Sequence, residues 1–84
     1  EIEEVLSLME EVSEDRSVPR NIRNTIAEAI DKTKKYEKGG LNYSTAIYKL
    51  DDISNDINMP QHARTDIWEI ISMLEALKEK VKDE

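Results

Sequence analysis

The chain has 84 residues, with 12 Lys and Arg, 19 Asp and Glu and one His, for a formal charge of -7. It contains no cysteine, which removes disulfides, thiolate zinc sites and cysteine nucleophiles together. No apolar run approaches the roughly 18–20 residues of a membrane span, and no basic start followed by a short apolar region marks a signal peptide. The length predicts one domain. A chain this small buries only about 60% of its unfolded surface, so regular helix packing or self-association is expected to supply the stability.

In the first segment Ile2, Val5, Leu6, Met9 and Val12 recur at steps of three and four. This spacing predicts a helix over 2–12 with one apolar stripe. Glu1, Glu3 and Glu4 suit the dipole of its first turn. A polar break follows, and Pro19 is expected at the first helical position of a second helix, where its missing N–H costs nothing. That helix carries Ile22, Ile26, Ala27 and Ile30 and is expected to run to Lys35 or Tyr36, with Gly39-Gly40 closing it. A linker is placed at about 37–41. Asn42 or Ser44 is expected to cap the third helix, whose stripe is Ala46, Ile47, Leu50 and Ile53 and which stops near Ser54. A second polar break holds Ile57. Pro60 then opens a fourth helix with Ala63, Ile67, Ile70, Ile71, Leu74, Leu77 and Val81, and the charged tail 78–84 is expected to fray.

Two of these stretches look alike at an offset of 41. Between 13–30 and 54–71, seven of eighteen positions are identical: Ser, Asp, Pro and Arg, then Ile26/Ile67, Glu28/Glu69 and Ile30/Ile71. Upstream only the apolar pattern persists. The unit is a helix, a tight polar turn and a proline-started helix. Its size is that of HEAT or armadillo-type repeats, and its Asp-x-x-Val-Pro-x-x-Ile-Arg turn resembles that of a HEAT unit. A solenoid needs about three units, and two alone are expected to pack their apolar stripes together instead, with a solenoid fragment as the alternative. The predicted fold is therefore all-α: a four-helix bundle of two related hairpins, about 2–36 and about 42–82.

Asp15 and Asp56 sit four residues before their prolines, and Arg23 and Arg64 four residues after. Duplication of the pattern favours a structural role, with each arginine holding its loop carboxylate in a bidentate contact. A pair of binding loops is the functional alternative. His62, the one histidine, is read as a hydrogen-bonded loop residue near Asp56 and Arg64. No Glu-x-x-His or His-x-x-x-His pair is present to make it a metal ligand, and an enzyme role would need an oriented nucleophile. Trp68 is assigned to the core against its repeat partner Ala27, with an exposed interface anchor as the alternative. Tyr36, Tyr43 and Tyr48 with Lys32, Lys34, Lys35, Lys38 and Lys49 form the one basic-aromatic region, of a kind that stacks on RNA, although the net charge opposes general nucleic-acid binding. Glu3-Glu4 and Glu10-Glu11 read as a solvated face. Asp51, Asp52 and Asp56 lack the alternation and glycine of a calcium loop.

The phrases Ser13-Glu-Asp-Arg-Ser-Val-Pro-Arg-Asn-Ile-Arg23 and Asp51-Asp-Ile-Ser-Asn-Asp-Ile-Asn-Met-Pro-Gln-His-Ala-Arg64 resemble a family of small uncharacterised archaeal proteins, and the sequence looks like a Thermoplasma-type member. The resemblance covers most of the chain. It implies a compact four-helix bundle in the cytoplasm and carries over no activity and no catalytic residue. The expectation drawn from residues and resemblance together is a non-enzymatic protein–protein interaction module, with no cofactor and no metal. Its partner is an unknown protein or a second copy in a homodimer. Asp15, Arg23, Asp56, His62, Arg64 and Trp68 are the candidate interaction or turn residues. The alternative is an RNA- or ribosome-associated accessory protein using the Lys/Tyr region.

Overall fold

A computed structural model describes residues 2–35 and 37–81. The expectations for Glu1, for Tyr36 and for 82–84 lie outside the described residues. Four α-helices follow one another: α1 (Ile2–Ser13), α2 (Arg20–Lys34), α3 (Leu41–Ser54) and α4 (Gln61–Val81). No strand occurs among the described residues. α4 is helical to Val81.

Both prolines stand one position earlier than expected. Pro19 has φ -54 and an extended ψ of 147, and so precedes the first helical residue of α2. Its carbonyl accepts the first intrahelical bond from Arg23 N–H at 3.0 Å, and Pro60 accepts from Arg64 in the same way. The ring fixes φ near this value, while the extended ψ turns the chain into the helix.

The two glycines begin a helix instead of closing one. α2 ends at Lys34, and Lys35 is already extended at φ -84, ψ 138. Gly39 and Gly40 take φ of 72 and 74 in a short 3-10 turn (Lys38–Gly40) that leads into α3. An L side chain in this region costs about 1–2 kcal/mol. Gly40 is also held by space, because a Cβ there would lie 3.1 Å from Val81 Cγ2 and 3.3 Å from Lys78 Cγ. Neither Asn42 nor Ser44 caps α3, since both lie inside it. Asn42 is buried, and its Nδ2 donates to the Thr33 carbonyl at 3.3 Å. It thereby satisfies an end carbonyl of α2 that has no partner within its own helix.

The expected stripes supply most of the core. Val5, Met9 and Val12 meet Ile22, Ile26 and Ile30, with Ala46, Leu50, Ile53, Ala63, Ile67, Ile70 and Leu74 from the later helices. The turn residues Val18 and Met59 are buried with them. In α2 the small buried residue is Ala29, and Ala27 is exposed. α1 packs on α2 and α4, and α3 also packs on α2 and α4, while the backbones of the pairs α1–α3 and α2–α4 do not approach closely among the described residues. Among the described residues the three buried polar side chains, Thr33, Asn42 and Ser54, all form hydrogen bonds.

Candidate functional site

The two proline turns share four hydrogen bonds at matched positions. Asp15 N–H donates to the Val12 carbonyl and Asp56 N–H to that of Ile53, while Val18 and Met59 N–H donate to the carbonyls of Asp15 and Asp56. The aspartate side chains then cap the loops. Asp15 Oδ1 accepts Ser17 N–H at 2.9 Å, and Asp56 Oδ1 accepts Asn58 N–H at 2.8 Å. This is an Asx-turn, a local bond that Asp forms two residues ahead of itself. The proline carbonyls complete the match.

The arginines do not hold these carboxylates, contrary to expectation. Each aspartate has turned an oxygen onto its own loop N–H, so carbonyl oxygens become the acceptors for the guanidinium groups. Arg23 Nε donates to the Val18 carbonyl at 2.9 Å. Arg64 spans more of its turn, with Nε to the Ser54 carbonyl at 3.0 Å and a terminal nitrogen to the Asp56 carbonyl at 2.8 Å. It ties the last residue of α3 to the first turn of α4.

His62 does not join Asp56. Its Nε2 lies 2.8 Å from Asp15 Oδ2 and 3.3 Å from Ser17 Oγ, both on the first turn. The start of α4 is thus pinned to the α1–α2 turn. Ser17 Oγ also donates to Asp15 Oδ1 at 2.6 Å. The Ser17 hydroxyl, then His62 and the Ser17 N–H, hold the Asp15 carboxyl down at about 2 against an ordinary 3.8. The three residue types of a hydrolase triad are present, but they are wired differently. A triad histidine takes the serine proton on one ring nitrogen and is oriented through the other. Here Asp15 and Ser17 both face Nε2, and the serine proton goes to the aspartate. No cluster of three or more His, Asp or Glu suited to a metal ion occurs among the described residues.

Trp68 is not in the core. It is 54% exposed. The buried stripe of α4 centres on Ala63, Ile67, Ile70 and Leu74, and at ~100° per residue Trp68 stands about 130° from that centre. Ala27 faces outward for the same reason, so the two do not pack together. Ile57, in the second turn, is 91% exposed. Trp68, Ile57, Arg64, Ser54 and Asn55 line one open recess of ≈ 480 Å³. In the sequence Ile57 lies within a polar break, and a branched apolar residue in such a break is the signal of this surface. The Lys/Tyr region is divided. Tyr43 packs against the core, Tyr48 is exposed, and Lys49 lies 3.4 Å from Glu28. No helix among the described residues is long and apolar enough to cross a membrane.

The profile of the uncharacterised protein family UPF0147 matches residues 1–77, and the chain belongs to that family of archaeal proteins. A UPF0147 protein of Methanocaldococcus jannaschii is 45% identical over 75 residues, covering 88% of this chain and 81% of its own. One from Thermoplasma volcanium is 41% identical over 75 residues, covering 88% and 84%. The crystal structure of a UPF0147 protein from Thermoplasma acidophilum superposes with a TM-score of 0.84 at 41% identity over 89% of each chain.

Proposed function

We propose that this protein is a non-enzymatic helical interaction module, a single domain whose four helices form a bundle of two related hairpins. The cycle of helix contacts supports the bundle, and the matched hydrogen bonds of the two turns support the duplication. The observation that carries the interaction reading is the recess at the second turn. Trp68 and Arg64 are residue types that dominate binding energy at interfaces, and here they stand beside an exposed Ile57. A side chain as large as Trp68 left half in water has apolar area to gain by docking, at ~25 cal/mol per Å². The module docks an apolar side chain of a partner protein in the cytoplasm, and a homodimer through the same patch is its self-associating form.

The test compares the wild-type protein with an Ile57→Ser/Trp68→Ser variant in nuclease-treated lysate of its own organism. A discrete protein held by the wild type and lost by a variant of unchanged helicity and melting temperature is the expected result. Equal capture by both overturns the reading. Sedimentation over a dilution series separates a homodimer from a monomer.

Exposed Tyr48 beside Lys49, on an open recess with Ser44 and Thr45, favours a second reading, an RNA- or ribosome-associated accessory role. Salt-sensitive RNA binding that Lys34→Glu, Lys35→Glu and Lys38→Glu together abolish supports it. No binding at low salt removes it.

A further inference from the structure

The opposite flank of α4 carries a different surface. Met73 and Leu77 are half-buried there, and half-buried Leu8 of α1 faces them. Glu3, Glu4, Ser7, Leu8 and Glu11 of α1, with Glu69 and Met73 of α4, line an open groove of ≈ 460 Å³. It continues past Glu4 and Met73 to Ala76 and Leu77 in a further ≈ 210 Å³. The lining positions fall at helical spacing on both elements, so the groove runs along the two helices for ~12 Å, about two turns.

Its chemistry is one-sided. The floor is apolar: Leu8, Met73, Ala76 and Leu77. The walls carry four carboxylates, Glu3, Glu4, Glu11 and Glu69, and among the described residues no lysine or arginine lines it. None of the four forms an ion pair with another described residue. Like charges along a two-turn groove repel one another, and a cationic ligand relieves that repulsion. Nucleic acid and anionic lipid carry the wrong sign for it. A second copy fits poorly, since each helix of this chain already turns its apolar stripe into its own core.

We propose that the α1–α4 groove binds a basic amphipathic helix of a partner protein. The apolar face of that helix lies over Leu8, Met73 and Leu77, and its flanking lysines or arginines meet the glutamates. This is the helix-in-groove mode, read by anchors at i, i+3/i+4 and i+7. Met73 gives the floor a side chain that adapts its shape to the anchor. The glutamates contribute orientation, a faster encounter and part of the affinity. The proposal goes beyond the recess at Trp68, and either surface can fail without the other.

The probe is a fluorescently labelled helical peptide of leucine and lysine with all its leucines on one face, measured by anisotropy at about 0.15 M salt. The expected result is saturable binding, with amide shifts in NMR spectra confined to α1 and α4. A Glu4→Gln/Glu11→Gln/Glu69→Gln variant, which keeps the helices, weakens binding about tenfold. An Asp31→Asn/Asp51→Asn/Asp52→Asn variant removes the same charge elsewhere and changes it less than about twofold. An Ile57→Ser/Trp68→Ser variant binds as the wild type does. Equal weakening by the two acidic variants overturns the proposal. So does equal binding of a lysine peptide without leucine, or a set of shifts spread over α2 and α3.

Discussion

The two proline turns have the same backbone and different work. Asp15 and Asp56 close the same Asx-turn, and Val18 and Met59 enter the core at the same point. Beyond that they diverge. The first turn spends its carboxylate on His62, 47 residues away, and is polar at its tip, where Arg16 is exposed. The second turn braces itself with Arg64 and exposes Ile57 beside Trp68. The aspartate, the proline and the buried residue before it set the loop. The remaining positions are free to differ, and the differences make one turn an internal fastening and the other a surface. The link between the turns runs one way because His62 lies where the first half has Asn21.

The largest effect expected from this comparison lies in the core. Met59→Ala removes a larger buried side chain than Val18→Ala, at about 3 against about 2 kcal/mol in urea unfolding. A larger loss from Val18 would mean that the first turn, not the second, anchors the fold. The arginines come next. Arg64→Ala removes two charged hydrogen bonds and leaves the Ser54 carbonyl without its donor, the Asp56 carbonyl still accepting Met59 N–H, and costs about 2–3 kcal/mol, while Arg23→Ala removes one and costs about 1–2. Equal losses would erase the distinction drawn between the two braces. Lysine at 64 should recover less than lysine at 23, because a point charge cannot span two acceptors as the guanidinium fork does.

Much of this was legible in the sequence where the chemistry is local. Stripes at steps of three and four placed the four helices and nearly all of the core, since burial follows helical periodicity directly. Errors arose where a residue's role depends on a neighbour distant in sequence. Trp68 adjoins Ile67, but one residue is ~100° of rotation, and only the whole set Ala63, Ile67, Ile70 and Leu74 fixes the centre of the buried stripe. Gly39-Gly40 reads equally well as the end of α2 or the approach to α3. The close pass of Gly40 against Val81, 41 residues away, decides it. The pairing of His62 with Asp15 has no trace in spacing, because it depends on how α4 docks on the first hairpin. The arginine contacts were misread because a carboxylate nearby in sequence looks like the natural acceptor, yet its own loop N–H reaches it first.

The smallest expected effect separates the Asx-turn from the inter-turn link most sharply. Asp15 is held at about 2, below its ordinary 3.8, so its contribution to stability is complete above about pH 4 and is lost as pH falls through about 2. Asp15→Asn should therefore fall short of the wild type at neutral pH and converge with it in acid. The Ser17 hydroxyl contributes most to the shift and His62 comes after it. Carbon NMR titration of the Asp15 carboxyl should rank the apparent pKa wild type lowest, His62→Ala next and Ser17→Ala highest. That order makes the carboxylate first a part of its own loop, which His62 then finds already fixed in place. The reverse order would make docking of α4 the event that organises the first turn, and the likeness of the two turns would then be a product of assembly and not of their shared residues.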